Sequence, residues 1–421
     1  MGQVIGIGIF LTPAEMAGQL GAPGLVYAMF LLAGFMALSG GLCYGELSSR
    51  FPEAGGAYVY LREAWGEPAA FLYGWKCLLV MDPGITAALA TGLAEYVGYL
   101  TPLGDAGRKL VAVAVILILA LVTVLGTRLA AGLLVAVTIV KLAVLAAVVG
   151  LGFASGALAW NRMAPTLVRP DGAPALGLAL GGGFVLAFFS FGGWWEAARM
   201  AGEVRDPQRT LPRAFVLGIV LVTAVYVLTS AVFLGLVPPE IAGSATAFAA
   251  RVGEQLFGPT GGTVLALGVL VSVLGSLAAV VLLSPRLYIA LARDGLFPAR
   301  VAELHPRFGT PALAIAVQAA LASVLVMVGT FSDIVAYFVF VTVAFIAASV
   351  AALYRLPPPA EGFRTPLRSV TPAVFVFLSA VLLGLLLLNK PKNALLGVLV
   401  VGLGLPVYAT LRRSGILRAE G

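Results

Sequence analysis

Lys141 lies in the stretch VAVTIVKLAVLAAVVG, with no other charge for at least a dozen residues on either side. In a membrane-crossing helix such a lysine sits near the bilayer centre, at a cost of about 2.5 to 3.5 kcal/mol on insertion scales. It must therefore find partners inside the protein, and the predicted partner is broken backbone in the first apolar segment. Asp82, in KCLLVMDPGITAA, is a second charge in mid-segment, beside Pro83. It reads either as a proton-coupling carboxylate or contact for a cationic substrate side chain, or as an internal partner for Lys76 or Lys141. Two glycine groups complete the set, Gly6-Ile7-Gly8 and Gly192-Gly193. If they unwind their helices, the freed amides of Ile7, Gly8 and Ile9 can bind a carboxylate at a positive helix terminus. Carbonyls freed at the end of a half-helix suit an ammonium. Together they describe a pocket for a zwitterionic amino acid.

The elements that must hold these groups are transmembrane helices. The chain of 421 residues is 61% hydrophobic and 11% charged, with a mean hydropathy of +1.04. Apolar segments recur at approximately 2–21, 24–46, 69–100, 109–126, 131–155, 177–203, 213–237, 261–292, 311–329, 332–354, 371–388 and 394–411. Each is near or above the roughly 20 residues that cross hydrocarbon as a helix, and their continuity excludes alternating barrel strands. The expected class is an all-α integral membrane protein of about twelve spans. The link LPPPAEGFRTPLRSV, 356–370, separates a core of ten spans (1–355) from a final pair (356–421). Cys43 and Cys77 fall within spans and His305, the one histidine, lies in a polar link, so neither a disulfide framework nor a metal cluster is built. No cofactor is implied.

Twelve spans put both termini on one side. The loops and span ends of that side carry Arg50, Arg62, Arg128, Arg199, Arg205, Arg209, Arg213, Arg286, Arg293, Arg300, Arg307, Arg355, Arg364, Arg368, Arg412, Arg413 and Arg418. The other side carries only Arg108, Lys109, Arg162, Arg169, Arg251, Lys390 and Lys392. The positive-inside rule then makes both termini cytoplasmic. The net charge of +7 is this topological signal and not a nucleic-acid footprint.

Glycine pairs also serve close helix packing. Here, however, the interruptions occupy the first and sixth spans, corresponding positions of two five-span halves, which is the sequence pointer to a transporter's central site. The segments GQVIGIGIFLTP, ELSSRFPEAGGAYVYLREAWGEPAAFLYGW, FFSFGGWWEAARMAGEVRDPQRTLPRA and SPRLYIALARDGLFP resemble signature stretches of the amino acid/polyamine/organocation (APC) superfamily. Through FSFGGW they resemble its L-type amino acid transporter branch most. The resemblance runs along essentially the whole chain. It implies a LeuT-type 5+5 inverted repeat with helices 1 and 6 broken, and alternating-access transport of amino acids, with small or neutral ones leading.

The resemblance also implies site residues. They are Val4, Ile5, Gly6, Ile7, Gly8 and Ile9 in the first break, and Phe189, Ser190, Phe191, Gly192, Gly193 and Trp194 in the second. Amides of Ile7 and Gly8 match the carboxylate-binding turn. Carbonyls of Val4, Phe189 and Gly192 match ammonium acceptors, Phe189 an aromatic gate, and Trp194 a wall of the side-chain pocket. Relatives often carry a small hydroxyl residue where this chain has Ile7, which leaves amide binding intact. Lys141 matches a lysine whose ammonium takes the place of sodium, which implies sodium-independent transport and marks Lys141 and Asp82 as the ion-site-like or coupling positions. Relatives in animals join a glycoprotein partner through a cysteine in the loop between spans three and four. Here that loop, TPLGDAGRK, has none, so no disulfide-linked heavy chain is expected.

Other charged residues read as structural. Glu46 with Arg50, Glu203 with Arg205, and Arg286 with Arg293 end spans and serve packing or gating. Glu196 and Arg199, three apart, form an ion pair of the inner half-helix. The link 51–68, with Tyr58, Tyr60 and Trp65, fits an interfacial helix. The break after only five residues of the first span leaves about 7 Å of helix, short of half the hydrocarbon core, and predicts that the natural chain begins upstream of Met1. Competing classes are a proton-coupled symporter, an exchanger of cationic amino acids or polyamines, and a receptor on the same fold. A membrane-embedded enzyme is a poor competitor, since the spans hold no histidine and few carboxylates.

Overall fold

The structure, a computed structural model, describes residues 4–53, 55–126, 130–237, 247–359 and 361–417. Arg128, Arg418 and the residues at the predicted upstream junction, 1–3, lie outside this set, as does the side chain of Glu203. Among the described residues the chain is helical, with no strand. In order come α1 (Gly8–Leu20), α2 (Pro23–Arg50), the short α3 (Ala57–Trp65), α4 (Glu67–Leu100), α5 (Asp105–Leu125), α6 (Ala130–Ala154) and α7 (Leu176–Phe191). A 3-10 segment, Trp194–Glu203, follows. Then come α8 (Pro207–Leu236), α9 (Phe248–Arg293), α10 (Ala312–Val328), α11 (Phe331–Ala351), α12 (Thr371–Asn389), α13 (Pro391–Gly402) and α14 (Gly404–Arg413). Among the described residues ten segments are long and apolar enough to cross a membrane. With the 17-residue α10 and the 13-residue α1 they occupy the twelve predicted spans.

Local sequence explains the ends. Proline opens α2, α4, α8, α12 and α13, where its missing N–H costs nothing. Gly21 ends α1 at φ 69°, a left-handed cap whose N–H returns to the Ala17 carbonyl. Inside α4, Pro83 cannot donate to the Leu79 carbonyl. The helix widens to a π turn at Cys77–Met81, and the Tyr337 hydroxyl approaches that carbonyl at 3.5 Å.

Four of the five spans of the first half pack on the span five later, α1 on α7, α2 on α8, α4 on α9 and α5 on α10, while α6 packs on α8 and α9. Three glycines of α2 face α8, where a Cβ on Gly34, Gly41 or Gly45 would meet Thr223, Ile219 or Pro212. The little-enclosed helices α5 and α6 turn Leu117, Ile118, Leu121 and Ile139 outward, as lipid contact requires.

Links segregate to two faces. One face joins Arg169 Nε to the Leu20 carbonyl (2.8 Å), Lys109 to the Met327 carbonyl (2.8 Å) and Lys390 to Asp333 (2.9 Å). The other joins Arg62 to Asp294 (2.7 Å) and the Thr310 hydroxyl to the Val124 carbonyl (2.6 Å). On this second face the link 356–370 is a strap and not a loose boundary. The buried Glu46 carboxylate accepts from Arg368 Nε (2.9 Å) and the Thr365 amide (2.8 Å), while Arg50 donates to the Pro357 carbonyl. Glu46 and Arg50, expected to act together, thus hold different points of the strap. The α3 helix forms, but Tyr58 and Tyr60 turn into the protein core, and only Trp65 of the three aromatics is exposed.

Candidate functional site

Both predicted interruptions are present and they touch. Residues 4–7 are turn and bend, with α1 starting at Gly8. The α7 helix stops at Phe191, Gly192 is extended (ψ 140°), and Gly193 takes φ 100°, which only glycine adopts without strain. A Cβ on Gly8 would lie 2.7 Å from Ser190 Cα, so close approach also demands glycine there. The Thr12 and Ser190 hydroxyls meet at 2.8 Å, and Ser190 donates onward to the Leu186 carbonyl (2.9 Å), leaving Thr12 as the donor between the half-helices.

Lys141 reaches the first break from α6. Its Nζ donates to the Ile5 carbonyl at 3.1 Å and to the Ser276 hydroxyl of α9 at 2.5 Å, with Lys141 and Ser276 each 1% exposed. A buried cation thus bridges unwound backbone and a facing helix. Tyr226 of α8 makes a second bridge: its hydroxyl lies 2.8 Å from the Val4 carbonyl and 3.0 Å from that of Ser190. Because Val4 also accepts from the Gly6 amide (2.9 Å), both lone pairs of that expected ammonium acceptor are engaged. The Phe189 carbonyl accepts from the Gly192 amide (2.9 Å) and keeps one lone pair. Gly8 and Ile9 supply the first amides of α1, which have no carbonyl a turn before them.

Between the breaks lies a cavity of about 40 Å³. Val4, Gly6, Ile7, Gly8, Phe189, Ser190, Gly192 and Gly193 line it, with Ile85 and Leu89 of α4, Val280 of α9, and Phe338, Val339 and Thr342 of α11. At this size it is collapsed. An amino acid enters only as bulky walls move, and Phe189, packed edge-on against Phe331 (5.4 Å) and Phe338 (6.1 Å), is one such wall.

Four of the twelve expected residues, Ile5, Ile9, Phe191 and Trp194, do not line this cavity. Trp194 packs against Tyr44 (5.1 Å), Phe215 and Phe375, and Phe191 against Tyr226 (5.3 Å); both line a separate cavity toward α8. Trp195, stacked on Phe188 (6.1 Å), lines the central one. Glycine at φ 100° followed by a 3-10 turn changes the facing that a continued α-helix would give.

Asp82 is buried but does not line the cavity. It accepts from the Tyr288 hydroxyl and lies 4.0 Å from Arg199 Nη2, whose Nε lies 2.8 Å from Glu196. Arg199, expected among the span-end residues, is therefore an interior group. Lys76 completes the cluster over the Tyr73 ring (4.6 Å), with no carboxylate within 4.0 Å among the described residues. Two cations and two carboxylates thus share one buried region that sequence spacing does not assemble. Tyr226, Ser276, Tyr288 and Thr342 also escape the sequence reading, although each is a polar side chain within an apolar span, the signal that singles out Lys141.

The amino acid permease family model matches residues 1–402. The chain belongs to that family. It is 28% identical to the serine/threonine exchanger SteT of Bacillus subtilis, over 98% of this chain and 94% of that protein. It is 29% identical to the Asc-type amino acid transporter 1 of Mus musculus (97% and 78%) and 28% identical to the large neutral amino acids transporter small subunit 2 of Homo sapiens (97% and 77%). Membership settles the class: the chain is a multi-pass membrane transporter of amino acids with the LeuT-type fold, and not an enzyme.

Proposed function

We propose that the protein is a sodium-independent exchanger or permease of small and neutral amino acids, working by alternating access around the breaks at Gly6–Gly8 and Phe189–Gly193. The observation that carries this is the Lys141 ammonium on the Ile5 carbonyl and Ser276 hydroxyl. A fixed cation there does the bridging that a bound sodium ion would otherwise supply, so the unwound segment is ordered without one. The Ile7 and Gly8 amides take the substrate carboxylate, and the Phe189 and Gly192 carbonyls its ammonium. Trp195 replaces Trp194 as the aromatic of the cavity, and the largely apolar wall favours uncharged side chains. The similarity to exchangers and transporters of serine/threonine and large neutral amino acids supports the same class.

Asp82 belongs with the positioning groups in this reading, because Tyr288 and Arg199 occupy it away from the cavity. Residues 1–355 form the inverted-repeat core and 356–421 a strap with the last two spans. Both termini face the cytoplasm of the inner membrane, where the arginine-rich face lies. The human relative is named a small subunit; here the loop at 101–104 has no cysteine and Cys43 and Cys77 are buried, which favours action without a disulfide-linked partner.

Uptake of a labelled amino-acid panel into proteoliposomes, with sodium or choline outside, tests the proposal. Uptake of neutral amino acids at equal rates in both media is expected. A strict sodium requirement, or uptake confined to cationic amino acids, would overturn it.

A further inference from the structure

We propose that the Thr342 hydroxyl is the side-chain specificity group of this site, and that it selects substrates carrying a small hydroxyl side chain. The inference rests on the transport reading above and adds to it a residue and a substrate chemistry.

Thr342 lines the central cavity, is 1% exposed, and its hydroxyl has no hydrogen-bond partner among the described residues. Hydroxyls inside helices ordinarily donate to the carbonyl four residues before. Ser349, on the same helix, does so to Phe345 (2.8 Å), as do Thr86, Thr123 and Ser284 on other spans. Thr342 departs from that pattern, as do Thr91, Thr229, Ser230, Ser272 and Ser379, and of these six it is the one that lines the central cavity. A buried hydroxyl left unpaired is unfavourable, and a ligand group is a physical reason to keep one.

The wall holds two other polar side chains, Ser190 and Trp195. Ser190 accepts from Thr12 and donates to Leu186, so it has little left for a ligand. The Trp195 indole N–H is also unpaired among the described residues, but it can only donate, whereas the Thr342 hydroxyl donates and accepts. In the reading above, backbone at the two breaks serves the α-carboxylate and α-ammonium. What remains for the substrate's side chain is a wall of Ile85, Leu89, Val280, Phe338 and Val339 with one hydroxyl, able to donate and accept. Serine carries the smallest such side chain.

Serine and alanine differ by that hydroxyl, so their ratio isolates the contact. Thr342→Val keeps the shape and removes the hydroxyl. In proteoliposomes it should lower the ratio of kcat/KM for serine over alanine about tenfold, the worth of one net hydrogen bond. Thr342→Ser should keep the wild-type ratio. Without substrate, Thr342→Val should melt at or above the wild-type temperature, since no internal bond is lost. An unchanged serine-to-alanine ratio in Thr342→Val, an equal fall for both substrates, or a lower melting temperature would overturn the assignment while leaving the carrier reading intact. Absence of exchange of any amino acid by the wild type would instead overturn the carrier reading, and this assignment with it.

Discussion

Lys141→Met keeps the length of the side chain and removes only the charge and its donors. In the wild type Nζ donates to the Ile5 carbonyl at 3.1 Å and the Ser276 hydroxyl at 2.5 Å. A hydrogen bond from a charged group contributes about 1.5–3 kcal/mol, and since the bond to Ile5 alone reaches the unwound segment, the tether holds it with about that much. Against that stands the cost of a lysine at mid-membrane, about 2.5–3.5 kcal/mol, which methionine removes. In overall stability the two terms largely offset, and the melting temperature should change little. Neither the Ser276 hydroxyl, 3.4 Å from the Ile5 carbonyl, nor Tyr226 on Val4 supplies a charge-assisted bond. A loss of about 1.5–3 kcal/mol is a factor of about 10 to 10² in the population of the ordered segment. Exchange should therefore fall by about one to two orders of magnitude in a protein that still folds. The assay is counterflow in proteoliposomes, paired with melting followed by tryptophan fluorescence in detergent. Exchange above a third of the wild-type rate would refute the tether. A loss of exchange matched by a large fall in melting temperature would make Lys141 a packing charge only.

Three further outcomes follow from the same geometry. Gly8→Ala places a Cβ 2.7 Å from Ser190 Cα; overpacking of this kind costs about 1–3 kcal/mol, and exchange should drop at least tenfold, whereas wild-type rates would show that the two breaks need not touch. Asp82→Asn removes the carboxylate beside Arg199 and should lower the melting temperature while leaving the pH profile of uptake in place; a shift of the profile by a unit or more would return Asp82 to a coupling role. Glu46→Gln weakens the grip on Arg368 (2.9 Å) and should lower the melting temperature by a few degrees with substrate affinity unchanged, while an altered KM would link the strap to the site.

Features written into local composition are legible from the chain alone. The twelve spans follow from apolar length, the two breaks from glycine pairs, and the importance of Lys141 from its isolation in an uncharged segment. Facings and distant partners are not legible in this way. The choice between Trp194 and Trp195 depends on Gly193 at φ 100° and on a 3-10 continuation, neither of which a helical period anticipates. The partners of Asp82 lie on other helices, Tyr288 being 206 residues away, and no spacing marks such pairs. The link 356–370 reads as a boundary because it is rich in proline and charge, yet it is pinned by Glu46, a carboxylate that sequence pairs with its neighbour Arg50. Tyr226 reads as one more aromatic in an apolar span, although its hydroxyl ties the Val4 carbonyl to that of Ser190.

Alternating access around one site, without sodium, makes a strict quantitative demand. The most direct measurement loads proteoliposomes with one labelled amino acid, adds a second label outside in sodium-free buffer at equal pH on both sides, and counts both fluxes. The account predicts that entry is accelerated by the internal amino acid and that, in the exchanger form, each molecule entering is matched by one leaving. Saturable binding by folded protein with no flux of either label would contradict it, as would flux that appears only when sodium is restored.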